Sequence, residues 1–174
     1  MNAMKIRQWV WVLILTVLMG CAAAPVLRED IVEHGFKLNK YEFDGKAGNE
    51  RVEILDFLYG NPVGYAARNP EQYRQRGECA QSYSHGNLNM PRKDLKLLYV
   101  KWRDNLTGEV REVSLDLQKK LPKDFGDEHR TFVSFKKGQL YVYVITPERR
   151  PADEAPNGPR ATAYLKTITI FPEP

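Results

Sequence analysis

Catalytic signatures are missing from this chain. It has no G-x-S-x-G elbow, no H-E-x-x-H helix, no P-loop and no pair of C-x-x-C knuckles, which removes the hydrolase, zinc-peptidase, nucleotidase and zinc-ribbon classes that those motifs mark. Cysteine and histidine are scarce, with 2 and 3 copies in 174 residues. Cys79, Ser82 and His85 lie close in sequence, but a nucleophile and its base are paired by spatial geometry, so no catalytic residue is assigned. Asp127-Glu128-His129 offers oxygen and nitrogen donors, yet three adjacent residues in a turn rarely converge on one ion. That segment reads as a solvated acidic turn, and no metal and no cofactor is expected. His34 carries no functional reading.

A long apolar run is also lacking. Trp9 to Met19 is apolar apart from Thr16, short of the about 20 residues a membrane-spanning helix needs, and Ala22-Ala23-Ala24-Pro25 breaks it. With Lys5 and Arg7 in front, it has the parts of a secretory leader. Its end, Val17-Leu18-Met19-Gly20-Cys21, resembles the lipobox of bacterial lipoproteins, in which the cysteine is acylated and becomes the mature N-terminus. The resemblance implies a signal peptide over 1–20, lipidation at Cys21 by palmitate-type chains, and a lipidated tether over 21–34. Each buried methylene is worth about 0.8 kcal/mol, so several chains make a lasting anchor. Ala22 in place of Asp after the cysteine favours, by the same resemblance, the outer membrane. The expected location is the periplasmic side of the envelope. Acylation of Cys21 also leaves Cys79 without a disulfide partner, and a free cysteine is usually a small buried hydrophobe.

Excess charge of one sign is absent once the leader is removed. Taking Lys5 and Arg7 from the 26 basic residues leaves 24 against 22 acids, a formal charge of +2. Those charges are interleaved, which describes a solvated mixed surface and not a nucleic-acid face. The remaining 154 residues suffice for one domain, placed at 35–174.

What the domain does have is two-residue periodicity. Phe36 and Leu38, then Tyr41 and Phe43 after a parity change, read as a strand. Asp44-Gly45-Lys46-Ala47-Gly48-Asn49 leads to a second strand, Val52 to Tyr59, with Val52 and Ile54 on one face and Leu55, Phe57 and Tyr59 on the other, and the two strands fit a hairpin with a long loop. Leu98, Val100 and Trp102 alternate with Lys101 and Arg103. Val113, Leu115 and Leu117 alternate with Glu112, Ser114 and Asp116, and Asp104-Asn105-Leu106-Thr107-Gly108 joins the two runs as a hairpin. Another pair, Thr131 to Phe135 and Leu140 to Ile145, spans Lys136-Lys137-Gly138-Gln139. Its second member is apolar on both faces and so reads as a central strand. The proline-rich Pro147 to Pro159 is a surface excursion before a last strand, Tyr164 to Phe171. About seven strands with almost no helical period predict an all-β fold, an antiparallel sandwich or partly open barrel.

Gly64 to Pro91 is the least regular stretch and reads as one long irregular loop. Loops of this length in a compact domain are usually functional or disordered. It holds Tyr65, Arg68, Tyr73, Arg74, Arg76 and Tyr83, residue types that dominate binding hot spots, and these six are the candidate partner-binding residues.

Met90-Pro91-Arg92-Lys93-Asp94-Leu95 through Val100-Lys101-Trp102-Arg103, then Thr107-Gly108-Glu109-Val110, Leu121-Pro122, Gln139 to Glu148 and Ile168 to Pro172, resemble small lipoproteins encoded beside type VI secretion effectors. The resemblance covers most of the mature domain. It implies an immunity protein that is not an enzyme and binds a cognate secreted effector, a lipase-type or phospholipase-type toxin, in the periplasm. A structural or assembly lipoprotein of the envelope is the alternative, and a periplasmic hydrolase a third. The contact residues are not carried over, because Gly64 to Pro91 is where such relatives diverge.

Overall fold

The computed structural model describes residues 30–42, 51–64, 66–69, 75–76 and 82–173. The leader, Cys21, the Asp44–Asn49 turn, Cys79, Tyr65, Tyr73 and Arg74 lie outside the described residues.

The described chain is mostly β. Its strands are β1 (Ile31–Glu42), β2 (Val52–Gly60), β3 (Ala66–Arg68), β4 (Ser82–Pro91), β5 (Leu97–Asp104), β6 (Val110–Asp116), β7 (Arg130–Lys136), β8 (Gln139–Arg149) and β9 (Leu165–Phe171). A single α-helical turn, α1 (Leu117–Lys120), is capped by the Asp116 carboxylate, which accepts from the Gln118 N–H. The strands form two packed sheets, one ordered β4-β1-β7-β8-β9 and the other β3-β2-β5-β6. Neither closes into a barrel, so the fold is an all-β sandwich.

The β5–β6 and β7–β8 hairpins stand as the periodicity predicts. Leu98 faces Leu115, Val100 faces Val113, and Val133 faces Val142. Strand β8 is internal to its sheet and covered on both sides. Leu140, Val142 and Val144 enter the main core, while Tyr143 and Ile145 pack with Phe132 in a smaller outer cluster. The expected Pro147–Pro159 excursion is shorter, because β8 runs on through Arg149, and the stretch 150–159 folds back over that outer face, where Asn157 Nδ2 donates to Thr169 Oγ1 at 2.9 Å.

Other expectations are corrected. Strands β1 and β2 do not form a hairpin: β1 pairs antiparallel with β4 and parallel with β7, whereas β2 pairs with β3 and β5. The link between them crosses from one sheet to the other. Val52 and Ile54 also do not oppose Phe57 and Tyr59. An irregularity between Ile54 and Asp56 restores the inward face, so all four are buried at 2% or less. Strand β1 begins at Ile31, inside the segment expected to be tether. Gly64 to Pro91 contains β3 and the ten residues of β4, so those parts of it are strand and not loop.

The core lies between the sheets. Phe36, Leu38, Val133 and Phe135 from one sheet meet Ile54, Phe57, Val100 and Trp102 from the other, each such side chain contributing roughly 1.5–3 kcal/mol on burial. Trp102 Nε1 also donates across to the Gly138 carbonyl at 3.0 Å, meeting the need of a buried indole for a partner.

Candidate functional site

The site begins with the alternation of β1. Val32, His34, Phe36 and Leu38 point inward and are almost fully buried, Glu33 is exposed and Lys37 half-exposed. Facing β4, the register passes from His34↔Leu88 to Phe36↔His85. Gly35 therefore stands opposite two residues, Gly86 and Asn87. This is a β-bulge, a device that bends a strand and often lies beside binding sites.

Two glycines at the bulge leave a hollow, because neither brings a side chain. On the other side Gly35 pairs with Arg130 of β7, and its N–H donates to the His129 carbonyl at 2.9 Å. A Cβ on Gly35 would stand 2.9 Å from Arg130 Nε and 3.1 Å from its Cγ. The guanidinium arm therefore lies over this glycine.

The turn before β7 forms the remaining wall. Asp127 Oδ1 accepts the Glu33 N–H at 3.1 Å, the Gly126 N–H donates to His129 Nδ1 at 3.4 Å, and Glu128 adopts a left-handed φ of 68°. The expected solvated acidic turn is thus only partly so. Glu128 is exposed, but Asp127 ties the turn to β1, and His129 is 9% exposed with its ring 5.4 Å from Phe125. His34, without a role in the sequence reading, also packs on Phe125 at 5.2 Å and on Tyr59 at 5.6 Å.

The result is a cleft of about 460 Å³ lined by Glu33, Asn87, Asp127, Glu128 and Arg130 around the glycine floor, with both histidines at its base. Among the described residues its lining includes no serine, threonine or cysteine. Among the described residues no group of three metal-ligating side chains converges. The cleft offers a donor fork, an amide and three carboxylates on a rigid sheet. That equipment suits recognition of a protruding polar segment.

Of the six candidate binding residues, Arg68, Arg76 and Tyr83 are described. Tyr65, Tyr73 and Arg74 lie outside the described residues. Arg68 is exposed on β3, its guanidinium donating to the Pro62 carbonyl, and Arg76 is exposed in a turn. Tyr83 is corrected: it belongs to β4, is half-buried, and sets its ring 5.1 Å from Phe57 and 6.0 Å from Phe36. It completes the core and is not a free loop anchor. Gly86 and Asn87, from the same stretch, are the members that reach the cleft.

Compared with protein-family models, curated proteins and solved structures, the chain matches none.

Proposed function

We propose that this chain is a lipid-anchored immunity protein facing the periplasm, which binds a type VI secretion toxin of the lipase or phospholipase class and neutralises it stoichiometrically. The observation that carries the reading is the leader ending in Leu18-Met19-Gly20-Cys21. The immunity role rests on the resemblance of the domain's motifs. Two features are compatible with a blocker. Two packed sheets supply the scaffold, and the bulge cleft presents an amide, a guanidinium and carboxylates that can pair with polar groups of a partner. The toxin-binding surface is assigned to the cleft together with the adjoining Gly64–Pro91 segment, which share Gly86 and Asn87. Anchoring fits a target that attacks membranes, since confining inhibitor and toxin to one surface raises their effective concentration.

Metabolic labelling with palmitate tests the anchor. The native chain is expected to take up label and Cys21→Ser to accumulate as unlabelled precursor. Label retained by the variant would refute it. For immunity, a periplasm-directed product of the adjacent toxin gene should kill cells unless this chain is co-expressed.

A further inference from the structure

Asp30, the first described residue, lies beside a groove whose described lining is positively charged. The Asp30 carbonyl accepts the Arg92 N–H at 2.8 Å and its carboxylate pairs with Arg92 Nε at 2.9 Å, so the N-terminal end of the domain is fastened to the short 3-10 turn Arg92–Asp94. Between that turn and α1 lies a groove of about 290 Å³. Leu95, Leu117, Leu121 and Pro122 form its floor, and Arg92, Lys93 and Lys123 form its rim, with no carboxylate among the described lining residues.

Neighbouring charges are of both signs. Lys96 and Lys119 are exposed on the same end and Lys120 is half-exposed. Asp116 pairs with Lys119 at 3.0 Å and Glu173 with Lys120. Asp94 is turned inward on Asn61 at 2.6 Å, and Asp124 stands exposed nearby. Exposed ion pairs of this kind are weak, so their cations can exchange a carboxylate for a phosphate.

Chain length then limits where this end can be. Cys21 precedes Asp30 by nine residues, which span roughly 30 Å at full extension. A lipid on Cys21 therefore holds the Arg92 end within that reach of the bilayer. Strand β5 runs from Leu97, beside the groove, to Asp104 and carries the exposed Leu106 turn to the far end.

We infer that this groove is the surface the protein turns toward its own membrane, its cations taking the phosphates of anionic phospholipid headgroups and its leucine floor meeting the headgroup boundary. The inference rests on the lipid-anchor reading. Docking by a basic patch supplements an acyl anchor and fixes the orientation of what it carries.

The test uses the mature acylated chain with Cys79→Ala and a thiol-reactive fluorophore at Gln118→Cys, or at Leu106→Cys as the far-end control. It is placed on vesicles of phosphatidylcholine alone or mixed with phosphatidylglycerol. The Gln118 label should be shielded from iodide only on the mixed vesicles, and Lys93→Glu with Lys123→Glu or high salt should abolish the shielding. The Leu106 label should stay accessible throughout. Equal quenching on both vesicles overturns the inference. So do charge reversals that leave shielding intact, including the case where they weaken toxin capture instead, which would give the groove to a protein partner. Flotation separates the two readings, because an acylated chain floats with both vesicles. If the chain does not float with neutral vesicles the anchor fails. The groove then still stands if the chain floats with anionic vesicles and the paired reversal lowers that affinity roughly tenfold or more, and falls if it does not.

Discussion

The rings of Phe36 and Tyr59 stack 4.3 Å apart at an interplanar angle of 10°, one from each sheet. Tyr59 also reaches past the stack to Thr131 Oγ1 at 3.0 Å. The pair joins the strand that bears the cleft to the opposite sheet, so cleft geometry and core packing are coupled. Tyr59→Phe leaves the stack and strands the Thr131 hydroxyl in the core, at an expected cost of about 1–2 kcal/mol. Adding Thr131→Val should recover most of it. Urea denaturation of the two variants checks this, and a double variant no more stable than the single one would contradict it.

Tyrosine ionisation should oppose folding at high pH. Burial, and then the neighbouring Tyr141, push the Tyr143 phenol up to about 12, and burial raises Tyr59 as well. A raised folded-state value means that the stabilising contribution is whole below the unfolded value near 10 and is lost as pH rises through about 12. Tyr143→Phe should therefore move the alkaline unfolding midpoint upward, followed by tyrosinate absorbance and circular dichroism. An unchanged midpoint would show that this phenol is not desolvated.

At the other end of the pH scale the relevant group is Asp104. Hydrogen bonds from Arg51, at 2.9 and 3.2 Å, hold its carboxyl below the usual range, and the Leu106 N–H adds to this. The sign is opposite to that of the tyrosines. The contribution is present above the unfolded value of about 3.9 and disappears as pH falls through the lower folded value. Arg51→Met should reduce the loss of stability on acidification below pH about 4. An acid transition identical to that of the native chain would contradict the assignment.

Much of this fold was legible because period two is a local signal. The turn between Trp102 and Val113 and the one between Phe135 and Leu140 are bounded by clean alternation, and both hairpins form. Alternation does not say which sheet a strand enters, so it suggests a β1–β2 hairpin, whereas β1 joins β4 and β7 and β2 joins β3 and β5. Nor does it reveal a bulge, which is why Phe57 was expected on the face opposite Ile54. Val32, His34, Phe36 and Leu38 do alternate without a break, and counting His34 as an inward residue would have begun the strand correctly. The cleft was not legible, since Glu33, Asn87 and Arg130 are distant in sequence and meet only through the β4-β1-β7 order. Tyr83 reads as a loop residue because its strand carries few aliphatic residues, although its half-buried ring packs on Phe36 and Phe57.

The cleft and the Gly64–Pro91 segment make separable demands on binding. Glu33→Lys and Arg130→Glu change exposed side chains and should leave the melting temperature within about a degree or two while weakening toxin binding by about 2 kcal/mol or more at any true hot spot. Tyr73→Ala and Arg74→Ala probe the segment in the same titration. Tyr83→Ala is excluded, because loss of its core contacts would lower stability and binding together. Normal binding by both cleft variants, with loss at Tyr73 and Arg74, would move the contact surface off the cleft.

The most direct measurement of the central claim is co-purification of the leaderless chain with the secreted product of its neighbouring gene, followed by the mass of the complex and the toxin's lipid hydrolysis. The account predicts a stoichiometric complex in which hydrolysis is abolished. A toxin that elutes separately and keeps its full activity in the presence of excess chain would contradict it.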